Sequence, residues 1–128
     1  MLNILAIFCG GGLGAICRYG LFLVCHRPGA PEFPTGTLMA NLLGSLLIGL
    51  LWNFFESSRL LHEWRLFIFT GFLGGFTTFS AFTRETTQLF KIGAWKTALI
   101  YLTLSNTLGI ALVFLGYFLA RRYTVLPK

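Results

Sequence analysis

Between Thr70 and Thr83 the chain reads Thr-Gly-Phe-Leu-Gly-Gly-Phe-Thr-Thr-Phe-Ser-Ala-Phe-Thr. Three glycines and several hydroxyl side chains in so short a stretch are poor helix material. Gly74-Gly75 followed by Thr77-Thr78 predicts a broken helix. At such a break the first half leaves unpaired carbonyls and the second presents unpaired N–H groups. Carbonyl oxygens suit a small hard cation, whereas N–H groups at the positive end of a helix suit an anion. A Gly/Thr-rich packing face is the alternative account of the same residues. Phe79 and Phe82 follow one helical turn apart, with Phe76 a turn earlier. Such a stripe means core or lipid contact, or else ring edges turned toward an anion, since the edge of an aromatic ring is positive.

Other residues carry possible chemistry. Asn41 and Ser45 share one helix face, and an asparagine in hydrocarbon requires a partner, which another helix can supply. Arg18 lies within an apolar run, where an arginine either faces water or the bundle interior or snorkels to the headgroups. Thr103, Ser105, Asn106 and Thr107 form a polar stripe, although such groups often bond back to their own helix. Thr35 or Thr37 is expected to cap the helix that follows Phe33-Pro34. Cys9, Cys17 and Cys25 have no metal-ligand or disulfide spacing and read as small apolar packers. His26 and His62 read as interfacial polar residues.

These residues must be positioned in lipid. Of the 128 residues 55% are hydrophobic and 11% are charged, with 14 Phe and 15 Gly. A soluble domain is about 25% charged, and a domain this small has too little interior to bury so much apolar surface. A disordered tail, a nucleic-acid module and most soluble enzymes are thereby excluded. Uncharged runs cover residues 1–17, 33–55, 66–83 and 97–120, and about 20 residues cross the hydrocarbon core as a helix. The expectation is an all-α membrane protein in one domain, residues 1–128, with transmembrane helices at about 2–25, 34–55, 66–90 and 96–120. No Lys or Arg precedes the first run, so no cleavable signal peptide is expected.

The net charge is +6, and its distribution carries the argument about assembly. Four crossings place Arg59, Arg65, Arg121, Arg122 and Lys128 on the side of the termini, and Arg27, Arg84, Lys91 and Lys96 on the other. Orientation normally follows an excess of Lys/Arg in cytoplasmic loops, and that excess is missing. One consequence is insertion both ways up, giving an antiparallel, dual-topology homodimer with the inverted-repeat symmetry of many transporters. The other is a fixed orientation set by a signal that counting misses.

The run Gly71 to Thr83 strongly resembles the third-helix signature of the Fluc/CrcB fluoride channel family. Gly11-Gly12-Leu13-Gly14-Ala15-Ile16-Cys17-Arg18-Tyr19 is similar to that family's first helix, Gly36-Thr37-Leu38-x-x-Asn41-Leu42-x-Gly44 to its second, and Asn106-x-x-Gly109 to its fourth. The resemblance implies a dual-topology homodimer in the cell inner membrane, with two fluoride pores and a buried structural sodium ion at the two-fold axis. It implies passive fluoride export that protects against fluoride toxicity. Position by position it implies that Phe79, Phe82 and Asn41 line the pore and that the Gly74 and Thr77 carbonyls hold the sodium. Thr78 and Ser80 would stand beside them as hydroxyl donors, Arg18 would shape the aqueous vestibule, and Asn106 would be the fourth-helix polar group. On this basis Gly74→Val is expected to be severe and Thr77→Ala mild. The chain departs from the family pattern at Ala81, where a hydroxyl is common.

The chemistry agrees with that resemblance. Fluoride is small and strongly hydrated, so a pore must offer several donors at once or desolvation of the ion dominates. Neutral donors also release an ion more readily than a buried Lys or Arg. A small proton-coupled multidrug-type antiporter needs a carboxylate within the membrane, and Glu32, Glu56, Glu63 and Glu85 all fall at expected segment ends. A non-transporting assembly subunit has no use for the broken third segment. An enzyme would need a nucleophile–base set, a carboxylate pair or a metal cluster, and none is legible.

Overall fold

A computed structural model describes residues 1–25, 33–57 and 61–124, with the side chains of 53, 54, 56, 57, 123 and 124 excepted. His26, Arg27, Glu32, Arg59 and Lys128, with the side chain of Glu56, therefore lie outside the described residues. Among those described the chain is all-helical. Helix α1 is Leu2–Cys25 and α2 is Thr35–Ser57. The first half of the third span, α3 (residues 62–76), joins an α-turn His62–Arg65, wider π-turns Leu66–Leu73 and a last α-turn Gly74–Phe76. Helix α4 is Phe79–Lys91 and α5 is Trp95–Thr124. Four stretches are long and apolar enough to cross a membrane: Leu2–Cys25, Thr35–Trp52, His62–Lys91 and Trp95–Arg122. The third begins at His62 and takes in Arg65, and α5 takes in Arg121 and Arg122, because a charge ends an apolar run without ending a helix.

Two helix pairs build the bundle, α1 with α3 and α2 with α5. In each, glycine lets backbone touch backbone. A Cβ on Gly10 would stand 2.9 Å from Phe72 N, one on Gly71 2.9 Å from Ile7 O, and one on Gly14 2.8 Å from Phe76 N. On the other pair, a Cβ on Gly116 would stand 2.8 Å from Leu50 N, and one on Gly49 would strike the Val113 carbonyl. This is the small-residue packing of helices in lipid, where van der Waals contact replaces the hydrophobic effect.

The ends are set locally. Helix α4 stops at Gly93, whose φ of 78° only glycine adopts freely. Ala94 N donates to Leu89 O and Gly93 N to Phe90 O, closing the last turn. At the start of α2 neither threonine caps the helix: Leu38 N donates to Pro34 O, while Thr35 Oγ1 points back to Cys25 O and Thr37 Oγ1 is used elsewhere. The core is small and off-centre, with Leu38, Phe82, Leu89, Ala98 and Tyr101 as its buried members. Much of α1 and α5 is apolar and exposed, including Phe8, Ile16, Ile110 and Phe114. Cys9 and Cys17 are exposed free thiols on α1, so they do not pack inside this chain as their composition suggested.

Candidate functional site

The third span breaks at Thr77 and Thr78, both extended, with φ/ψ of −87°/153° and −149°/115°. Each half is terminated by its own side chains. Thr77 N and Thr77 Oγ1 both donate to Leu73 O, at 2.9 and 2.8 Å, closing α3. Thr78 Oγ1 accepts from Ala81 N at 3.2 Å, which makes Thr78 the N-cap of α4. Thr78 Oγ1 and Ser80 Oγ lie 3.2 Å apart within hydrogen-bond reach.

Two other helices complete the break. Asn41 on α2 accepts from Thr78 N through Oδ1 at 2.8 Å and donates to Thr78 O through Nδ2 at 3.1 Å. Arg18 on α1 donates from Nε to Gly75 O at 3.1 Å. These bonds decide which carbonyls stay available. In an unbroken helix Gly74 O would accept from Thr78 N, which goes to Asn41 instead. Thr77 O would accept from Ala81 N, which goes to the Thr78 hydroxyl. Gly75 O has lost its helical donor too, but Arg18 replaces it. Phe76 O loses its helical donor, Ser80 N, in the same way. Backbone groups away from water need partners, so the break frees the carbonyls of Gly74, Phe76 and Thr77, of which the resemblance assigns Gly74 and Thr77 to a cation. A small hard cation takes oxygen ligands, and the donor set fits the sodium ion that the resemblance implies. Two such oxygens do not encircle an ion.

Gly74 and Phe79 are exposed, Phe79 at 76%. A Cβ on Gly74 would meet nothing nearer than Phe69 O at 3.9 Å. The chain alone therefore accommodates a side chain there, so a severe effect of Gly74→Val acts on what covers the break and not on this chain's own packing. Gly74, Thr77, Thr78 and Phe79 share with Asn41 and Ser45 a cavity of about 380 Å3 that opens on the outside of the bundle. Phe82 differs from Phe79: it is buried beside Tyr101, ring centres 5.2 Å apart, with Phe79 at 5.8 Å.

A second cavity, of about 290 Å3, is lined by Arg18, Tyr19, Thr37, Arg84 and Glu85 among others. Thr37 Oγ1 donates to Glu85 Oε1 at 2.8 Å and Tyr101 OH donates to Oε2 at 2.9 Å. Glu85 is half-buried inside α4, so it is not a segment-end acid. Sequence reasoning missed this cluster because a helix continuing past Arg84 hides how deep the next residue sits. The available signal was Thr37, a hydroxyl on the buried face of the first turn of α2.

On α5 the polar stripe divides. Asn106 is exposed and donates to Leu102 O, and Thr107 donates to Thr103 O, so each spends one donor on its own helix. Ser105 Oγ is buried without a hydrogen-bond partner among the described residues. The structure thus gathers Asn41, Gly74, Thr77, Thr78 and Phe79 around the break, with Ser80 beside Thr78. Asn106 does not join that group.

Comparison with known proteins decides the family. The model of CrcB-like protein, Camphor Resistance (CrcB), matches residues 5–117. The chain belongs to the CrcB family. Among curated relatives, a Desulfotalea psychrophila protein named fluoride-specific ion channel FluC is 46% identical over 123 residues, covering 96% of this chain and 95% of that protein. A Parabacteroides distasonis protein of the same name is 38% identical over 128 residues, all of both chains. One from Granulibacter bethesdensis, named likewise, is 43% identical over 122 residues, covering 94% and 96%. With its four apolar spans, this CrcB protein is a multi-pass membrane protein.

Proposed function

We propose that this CrcB protein is a fluoride-selective channel that works as an antiparallel homodimer in the cell inner membrane. Its role is to let fluoride out passively and so protect the cell from fluoride toxicity. The observation that carries the assembly is the bare break. Irregular backbone is tolerated at membrane depth only where protein or a water-filled cavity covers it, yet Gly74 and Phe79 are uncovered in a single chain. A second copy related by a two-fold axis in the membrane plane covers them, and the balanced Lys/Arg count permits it to insert upside down. Two copies bring four carbonyl oxygens, from Gly74 and Thr77 of each, to one structural sodium ion that is not transported.

The anion route begins in the cavity of Arg18, Arg84 and Glu85, where two guanidinium groups raise the local concentration of anions. Beyond it stand neutral donors: the Asn41 amide, the Thr78 and Ser80 hydroxyls and the ring edges of Phe79 and Phe82. On α5 the orphaned hydroxyl of Ser105 is a buried donor, whereas Asn106 spends one amide N–H on Leu102 O and is exposed. Neutral groups replace water around fluoride without trapping it.

Glu85 supports a second reading, a proton-coupled antiporter, which requires a carboxylate inside the membrane. Its surroundings argue against it, because Arg18 and Arg84 line the same cavity and disfavour a cationic substrate. Liposomes loaded with fluoride and followed by a fluoride electrode test both readings. Fast efflux under a potassium-set potential, absent with chloride and unchanged by a pH gradient, is expected. Flux that needs an opposing proton gradient would overturn the channel, and equal chloride flux would overturn the selectivity.

A further inference from the structure

The break holds two extended residues in a segment that would otherwise run on as helix. Neither Thr77 nor Thr78 has a positive φ, and although the Thr78 hydroxyl draws Ala81 N–H away from Thr77 O, Thr78 N–H would still return to Gly74 O if it were released. What holds it away is the Asn41 side chain, which pairs with both main-chain groups of Thr78, at 2.8 and 3.1 Å, much as a neighbouring strand would. On the other side of the break Gly75 O is held at 3.1 Å by Arg18 Nε, from a different helix. An unpartnered carbonyl at this depth is costly, so each bond removes a reason for the two halves to rejoin.

We infer that Arg18 and Asn41 are positioning residues that pin the break open, and that through it they determine which carbonyls face the cation. The inference rests on the sodium site proposed above. Arg18 is then more than a vestibule charge: its Nε is spent on Gly75 O, while its remaining N–H groups stay with the cavity that it lines. Asn41 likewise is more than an anion donor. Two of its hydrogen-bonding sites are taken by Thr78, which fixes the direction of its remaining amide N–H. Since Thr78 N–H is the natural donor to Gly74 O, releasing Asn41 closes one of the two oxygens that each chain offers. Releasing Arg18 leaves Gly75 O competing with Gly74 O and Thr77 O for the same ion.

Arg18→Gln separates the pin from the charge. The glutamine amide nitrogen lies as many bonds from Cα as Arg Nε, so the donor survives while the positive charge is lost. Arg18→Met removes both at similar length, and Asn41→Leu removes the second pin. The full-length protein is purified and reconstituted, and its melting midpoint is titrated with sodium chloride against choline chloride. Amide hydrogen exchange over residues 77–81 is recorded in parallel.

For wild type, sodium should raise the midpoint. Arg18→Gln should need sodium within twofold of wild type, although its fluoride flux falls with the lost charge. Arg18→Met and Asn41→Leu should need at least tenfold more sodium, and Asn41→Leu should exchange the Thr78 amide at least tenfold faster. Should Arg18→Met fail to fold while Arg18→Gln folds, the pin is supported, because the two differ chiefly in the N–H. Equal shifts for Gln and Met, or loss of folding in both, would show that Arg18 acts by charge and overturn its pinning role. No shift in any variant would overturn the inference entirely. A wild type that ignores sodium would overturn the cation site instead, and the exchange data alone would then judge the pins.

Discussion

The α2–α5 and α1–α3 contacts use the same device to different ends. In both, glycines bring two backbones together: Gly49 and Gly116 in one, Gly10, Gly14, Gly71 and Gly75 in the other. The α2 and α5 helices are continuous through their contact. The α1–α3 contact instead abuts π-turns and ends at a break, and there close packing is joined by hydrogen bonds from Arg18 and Asn41. Glycine alone thus gives proximity. An irregular backbone at membrane depth needs polar side chains as well, because each carbonyl freed from a helix must be partnered.

The largest expected effect breaks both contacts alike. A valine at Gly14 or at Gly49 would drive its Cβ into the facing backbone, at Phe72 O in one case and Val113 O in the other. Backbone cannot step aside as a side chain can. The cost should therefore exceed the ~1–3 kcal/mol typical of overpacking, and neither variant should elute as a folded species from size exclusion. Gly74→Val is the contrasting case, since its site is open within the chain. It should insert and fold as a monomer yet fail to dimerise, and a dimer that survives it would remove Gly74 from the two-fold axis.

The next effect separates Phe79 from Phe82. Phe82 is 7% exposed and packs in the core against Tyr101, whereas Phe79 is 76% exposed. Phe82→Ile should cost about 1–2 kcal/mol of stability, as a partial truncation in a packed site does. Phe79→Ile should leave the melting midpoint unchanged and lower fluoride efflux tenfold, equivalent to about 1.4 kcal/mol on the barrier. Unchanged efflux in the Phe79 variant would take that ring off the conduction path.

The contrast between the two contacts also explains what was legible beforehand. Four apolar runs and a glycine-rich third segment predict four spans and a break, because lipid admits few alternatives. The use of Asn41 was half legible: an asparagine there demanded a partner, but that both its polar atoms would go to one residue's main chain depends on how α2 and the break approach in space. Glu85 was hidden for a related reason. Its depth follows from α4 continuing past Arg84 to Lys91, and its partners Thr37 and Tyr101 come from α2 and α5, far away in sequence. Which of Ser105 and Asn106 faces inward in this chain was not legible, since neighbouring residues on a helix point about 100° apart.

The smallest effect sharpens the distinction between a pin from another helix and a bond within the segment. Thr77 Oγ1 donates to Leu73 O, but that carbonyl already accepts from Thr77 N at 2.9 Å. Thr77→Ala therefore leaves no buried group unpartnered and keeps the main-chain oxygen that a cation would use. The loss should be one modest hydrogen bond, about 1 kcal/mol or less, together with the contact of the Thr77 methyl with Gly44. Thr77→Val keeps that methyl and should cost less than Ala, whereas Thr77→Ser keeps the hydroxyl and loses the methyl. Melting midpoints of the three variants order the two contributions, and sodium titration of each should match wild type within twofold. Abolished sodium binding in Thr77→Ala would mean that the hydroxyl, not the carbonyl, is the ligand, and that the break is held open for a different purpose.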